Sequence, residues 1–427
     1  MAWEKLSLSR QNWPRPLIAL SIVWIALVIT GARLTNFDEP YLPFAVAGAL
    51  AFFLRGAPSR WEIYAWLLIS AFFVKVIHLP QVPFWMLRVA ASFAVLGFGA
   101  LLLLGLRALW SDRDGRENAL TLLAPSIILT FFIFGCARVL SVISGISPQT
   151  DDAWLFAFDG SLGFQPSFFV GRILYDSTVL TRAALLTYLS LPFAMAVVCA
   201  WQVPVAARRI SWHMLTVLLC AGIGGWLLYS VVPGTGPIYA FSQLFPWNSL
   251  PYKDLSTFAL QKVSLPTSIP RNAMPSLHVG WVVLLYWNSR KFPVVLRAAA
   301  LLYLVLTVMA TLGTGQHYLV DLIVSLPFAL TVQSLVSYTL PHKSRRLISM
   351  ATGFGLTMAW LAMVRFGVPL ALKSPAIPWM LILATVTLTL WLQAWMSEPF
   401  STRVAAGNAV ANSSETAQTP VARPAHI

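Results

Sequence analysis

Apolar stretches near membrane-spanning length recur along the whole chain, at about 16–32, 41–54, 63–80, 84–110, 119–144, 183–205, 214–233, 275–289, 294–313, 317–340, 347–368 and 376–396. No other feature restricts the fold as much. Inside a bilayer every backbone N–H and C=O must find a partner within the protein, and runs of this length do so as helices. The chain is therefore expected to be an all-α integral membrane protein with about twelve transmembrane helices. The 41–54 run is short and is read as re-entrant or tilted. Composition agrees. Of 427 residues 58% are hydrophobic and 10% charged, whereas a soluble domain carries roughly a quarter charged residues.

The formal net charge is +14, but Lys and Arg stand in short clusters between apolar runs. That argues against a nucleic-acid-binding face and for membrane orientation. With the N-terminus cytoplasmic, Arg55/Arg60, Arg107/Arg113/Arg116, Arg208/Arg209, Arg290/Lys291 and Lys343/Arg345/Arg346 fall inside. The acidic stretch 151–176, the segment 234–274 and "GTGQH" fall outside. The expected location is a plasma membrane of the bacterial inner type, with both termini cytoplasmic. Lys5, Arg10 and Arg15 precede the first run, which is long for a signal peptide and lacks a cleavage site, so a retained helix is expected. Cys136, Cys199 and Cys220 lie inside apolar runs without metal-ligand or disulfide spacing and read as core side chains.

Four regions follow: N-terminal transmembrane helices (1–118), a catalytic core (119–342), C-terminal transmembrane helices (343–396) and a small, polar, disordered tail (397–427). Two long connections interrupt the core. The one at 145–182 is expected to lie as an amphipathic segment along the interface. The one at 234–274 begins "PGTGPIYAF" and ends at "RNAMPSLHVGW", and long loops of this kind tend to carry function.

Six histidines are present. His278 and His317 each open an apolar run on the same expected side, separated by one helix out and one back. Asp321 is a carboxylate inside an otherwise apolar run, a functional candidate by default. It follows His317 by four residues, on the same helical face. A carboxylate there can fix the imidazole tautomer and leave the other nitrogen free to attack. A second histidine could protonate a leaving oxygen. Pro275 and Thr314 suit helix starts, and two helix N-termini facing one pocket would favour a phosphate. Arg271 could grip phosphate oxygens bidentately, with Lys262 a weaker candidate. Ser276, the turn Gly234–Thr235–Gly236 and Tyr239 complete the expected phosphate-binding set. The bland readings are an interfacial His278, a structural His317–Asp321 pair, and a glycine turn with no ligand. His78 faces the same side and could line a pocket; Trp281 and Tyr318 read most simply as packing or interface residues.

"MPSLHVGW" followed by "QHYLVDL" resembles the second and third signatures of the type 2 phosphatidic acid phosphatase superfamily. More narrowly, "RNAMPSLHVGW", "GTGQHYLVDLIVSLP", "FDGSLGFQPSF" and "PGTGPIYAF" are similar to the branch containing inositol phosphorylceramide synthase, over roughly 140–340. The resemblance implies a six-helix core and a metal-independent reaction without cofactor. It also implies His317 as a nucleophile forming phosphohistidine, Asp321 as its orienting group and His278 as the acid for the leaving group. The superfamily's first signature is absent, and Thr311 stands where an arginine is expected. These departures suit the synthase-like branch. The expected activity is transfer of a phosphorylated headgroup from a phospholipid donor to a hydroxyl-lipid acceptor. Two readings stay open beside it: a lipid phosphate or polyprenyl pyrophosphate phosphatase using water, and a transporter or flippase in which the Asp–His pair relays protons. The sequence leaves the oligomeric state undetermined.

Overall fold

The computed structural model describes residues 40–76, 85–203, 212–250, 254–255, 258–337 and 342–397. The expected first span at 16–32, the tail beyond Ser397, His78 and His426 lie outside the described residues. The described chain is helical almost throughout, with one antiparallel two-residue ribbon pairing Gln149–Thr150 with Val263–Ser264.

Six described helices are long and apolar enough to cross a membrane: Arg88–Trp110, Arg113–Ile146, Val294–Gly313, Leu319–Val336, Lys343–Phe366 and Ala376–Ser397. A seventh span results if Thr178–Leu189 and Leu191–Gln202, bent by 49° at Ser190, count as one. Among the described residues, several of the twelve expected runs make helices shorter than a span. The 41–54 run forms Leu42–Ala47 and Ala49–Arg55, joined at Gly48. A Cβ at Gly48 would stand 2.4 Å from the Ala196 methyl, so only glycine permits that approach. The 275–289 run forms Leu277–Asn288, 12 residues long. At 1.5 Å per residue that is about 18 Å, short of a hydrocarbon core of about 30 Å. Its residues are nonetheless almost all buried, so its apolar character serves an internal strut.

The 145–182 connection also differs from expectation. It forms Asp152–Gly160 and Pro166–Tyr175, and the first is buried on nearly every side rather than lying along a surface. Its aromatic residues explain this: Phe156 packs on Phe168, Phe241 and Phe258, and Phe158 packs on Trp360.

Two apolar clusters organise the interior. One joins Phe44, Phe52, Leu104, Leu122, Met195 and Leu218 to Leu277, Val279 and Leu284. It runs continuously from the N-terminal helices into the core, and the expected boundary at 118/119 falls inside the single helix Arg113–Ile146. The second joins Phe156 and Phe158 to Tyr318, Val324, Trp360 and Ile382. Asp151 fastens the C-terminal helices to it, accepting from Arg365 at 2.5 Å and Lys262 at 2.7 Å. Cys199 is buried, Cys136 and Cys220 are half-buried, and none of the three is in a disulfide. His278 stands between Leu277 and Val279 of the first cluster and His317 next to Tyr318 of the second, their rings 6.3 Å apart, so the site lies where the two clusters meet.

Candidate active site

Two helix starts build the site. Leu277–Asn288 begins at Ser276, whose hydroxyl accepts the Val279 N–H. Leu319–Val336 begins at Tyr318, whose N–H donates to Asp321 Oδ2 at 2.8 Å. The two starts are stitched together: the Ser276 N–H donates to the Asp321 carbonyl at 3.1 Å, and the Ser325 hydroxyl donates to the Ser276 carbonyl at 2.8 Å. The stitching brings His278 and His317 together, ring centroids 6.3 Å apart. Pro275 therefore precedes the cap rather than entering the first turn. Thr314 closes the preceding helix, its hydroxyl bonded to the Ala310 carbonyl, instead of opening the next.

His317 is fully buried. Its Nδ1 lies 3.0 Å from the Ala273 carbonyl and 3.5 Å from Asp321 Oδ2. A carbonyl only accepts, so Nδ1 carries the proton and Nε2 holds the lone pair. Nε2 is buried and without a hydrogen-bond partner among the described residues. The nearest orienting group is thus the Ala273 carbonyl, with Asp321 farther away and already holding the Tyr318 N–H. The Ser167 hydroxyl pins the segment by donating to the His317 carbonyl at 2.9 Å.

The expected phosphate cradle is occupied by the chain's own carboxylates. Asp152 accepts the Thr235 and Gly236 N–H groups at 3.0–3.1 Å, the Thr235 hydroxyl at 3.1 Å and the Tyr318 hydroxyl at 2.9 Å. The Gly234–Thr235–Gly236 turn is an anion nest filled from within. Gly236 has φ +98°, and a Cβ there would meet the Gln316 carbonyl oxygen at 2.3 Å, so this glycine is required by both conformation and contact. Asp159 does the same for the second helix start, accepting the Leu319 N–H at 2.6 Å and the Val320 N–H at 3.0 Å. Burial pushes the carboxyls of both aspartates up, Asp159 to about 8, against the lowering influence of these donors. Sequence reasoning missed both residues. The available signal was their spacing: seven residues apart, they fall on one face of Asp152–Gly160.

Arg271 also departs from expectation. It is fully buried, and its guanidinium donates to five carbonyls, those of Ser147, Pro148, Leu265, Pro266 and Ile269, at 2.7–3.1 Å. Those bonds commit it to tying two loops together rather than to gripping phosphate. Lys262 is paired with Asp151. Thr311 bonds the Thr307 and Val308 carbonyls of its own helix. Tyr239 is half-buried beside the nest. Arg271→Lys is expected to lower the thermal unfolding temperature markedly, because an ammonium offers three donors for five carbonyls, a loss of about 2–4 kcal/mol. The affinity of the folded protein for a phosphate-bearing ligand should not move. A tenfold weaker affinity at unchanged unfolding temperature would return Arg271 to the phosphate.

A cleft opens beside His278. Its wall is mainly apolar (Leu140, Leu191, Met195, Trp226), with Tyr41, Tyr229 and Asn272 as polar exceptions. The Asn272 side-chain oxygen is buried without a partner among the described residues. The cleft reaches His278 but not His317. Among the described residues no group of three or more His, Cys, Asp or Glu side chains is placed to hold a metal.

Residues 153–335 match a family model described as "PAP2 superfamily". The matched segment contains both histidines, Asp159, Asp321 and the glycine turn, with Asp152 one residue before it, and it supports chemistry of the phosphatase or phosphotransferase type. No curated protein and no solved structure matches the chain.

Proposed function

We propose that the chain is a membrane phosphotransferase that moves a phosphorylated headgroup between lipids through a phosphohistidine. The observation carrying this reading is the free, buried Nε2 of His317, its tautomer set by the Ala273 carbonyl, with a second imidazole 6.3 Å away. In the first half-reaction the Nε2 lone pair attacks phosphorus. The bond from phosphorus to the leaving oxygen breaks, and His278 supplies the proton that the oxygen takes up. In the second, His278 removes the proton of the acceptor hydroxyl. The resulting oxygen attacks phosphorus, the P–N bond breaks, and Nε2 regains its lone pair. Asp321, beside Nδ1, offsets charge that develops on the ring.

The apolar wall of the cleft favours an acceptor with hydrocarbon chains over water. The finer reading, transfer of inositol phosphate in the manner of inositol phosphorylceramide synthase, rests on the sequence likeness of the four segments "RNAMPSLHVGW", "GTGQHYLVDLIVSLP", "FDGSLGFQPSF" and "PGTGPIYAF". The positive-residue pattern supports a site on the non-cytoplasmic face of the membrane. The test uses purified protein in vesicles with headgroup-labelled phospholipid donors, with and without a long-chain hydroxyl-lipid. Labelled product lipid that needs the acceptor supports transfer. Release of phosphate or headgroup phosphate alone makes the enzyme a phosphatase. Neither product with any phospholipid or polyprenyl pyrophosphate donor overturns the reading.

A further inference from the structure

Tyr41 opens the short helix Leu42–Ala47, more than a hundred residues upstream of the segment that matches the family. It nevertheless reaches the site. Its ring centroid is 5.7 Å from that of His278 and 6.2 Å from that of Tyr188. Tyr188, in the last turn of Thr178–Leu189, stacks face to face on His278, centroids 3.8 Å apart and planes 15° apart. The described ring contacts of His278 are with these two tyrosines and with His317.

Stacking alone holds an imidazole loosely. Dispersion between flat rings changes little as one slides or turns over the other. The Tyr41 ring supplies the missing restraint: it packs tilted against both Tyr188 and His278, so neither ring can slide or turn without meeting it. Tyr41 and His278 also line the same cleft, so the upstream helix forms part of the wall that a substrate meets. Gly48 and Ala196 set the depth to which this helix penetrates.

We infer that Tyr41 is a positioning residue for proton transfer, holding Tyr188 on the face of His278 so that the imidazole meets the leaving oxygen in one orientation. The inference rests on the phosphotransfer reading for its kinetic consequence but not for its geometry. It gives the N-terminal helices a part in the chemistry. A general acid contributes about 10²–10⁴-fold, and misaligning rather than removing one forfeits only part of this.

The test uses Tyr41→Leu and, independently, Tyr188→Leu, each of which removes one of the two rings that hold His278 and keeps an apolar side chain in its place. Two readouts are taken on the full chain. The first is carbethoxylation of His278 by diethyl pyrocarbonate, followed by peptide mass spectrometry, which requires no turnover. Both variants should react several-fold faster at His278 than wild type, with His317 unchanged. The second is single-turnover phosphorylation of the enzyme by two donors, one with an alkyl leaving group and one with a nitrophenyl leaving group. Departure of nitrophenolate needs no proton. Both variants should slow the alkyl donor about 5- to 30-fold and leave the nitrophenyl donor unaffected. Equal slowing of both donors, or unchanged reactivity of His278, overturns the inference. Absence of any phosphoenzyme from wild type overturns the phosphotransfer reading instead, while the carbethoxylation result still decides whether Tyr41 positions His278.

Discussion

His317→Ala is expected to reduce turnover by at least about 1,000-fold, to the background of the assay. On the proposed phosphohistidine route the substitution removes the attacking atom, and no group beside it among the described residues is placed to substitute for it. His278 is pinned under Tyr188, and Asp321 lies behind the ring on the Nδ1 side. The fold should tolerate the change better than most at a buried site. The lost hydrogen bond leaves one acceptor, the Ala273 carbonyl, a cost of about 1–3 kcal/mol. Rapid quenching under alkaline conditions, which preserve phosphohistidine, should trap labelled wild-type protein and no labelled variant. The label should map to the peptide carrying His317. Turnover in His317→Ala within tenfold of wild type, at equal folded protein, would remove His317 from the chemistry and with it the covalent route.

The pairing behind this expectation was legible in the sequence. Two histidines at the starts of runs one helix out and one helix back must come to one level, and the ring distance of 6.3 Å reflects that. The i, i+4 relation of Asp321 to His317 was also legible, though not its first duty, which is to cap Tyr318. What stayed hidden is long-range. The five carbonyls around Arg271 come from loops 2 to 124 residues away, and no local pattern says whether a buried arginine will meet a ligand or its own backbone. An arginine before a histidine motif therefore looks the same in either case. The runs that make short helices read as spans for a related reason. Hydropathy scores an apolar run alike whether lipid or protein surrounds it, and Leu277–Asn288 is apolar because it is enclosed. The 152–160 segment misled in the opposite direction, since two carboxylates in an aromatic stretch resemble an interfacial helix until their donors are known.

Those carboxylates define the second large effect. Asp152→Ala is expected to destabilise the protein by about 3–5 kcal/mol, because it strands four buried donors: the N–H groups of Thr235 and Gly236 and the hydroxyls of Thr235 and Tyr318. Activity should fall further than stability. Tyr318 adjoins His317, and the Gly236 turn contacts Gln316, so relaxation of the nest moves the nucleophile's own segment. Asp152→Asn should rescue only in part, since it keeps one acceptor oxygen and turns an amide NH₂ toward groups that also donate. The vacated nest is the sharper probe. It has the geometry of an anion site, so millimolar formate should raise the unfolding temperature of Asp152→Ala and restore part of its turnover, while leaving wild type unaffected. Chloride, which lacks two oxygens to share among the donors, should do less. An unfolding temperature for Asp152→Ala equal to that of wild type would mean the nest tolerates an empty centre, and the glycine turn would again be free to receive the phosphate of a substrate.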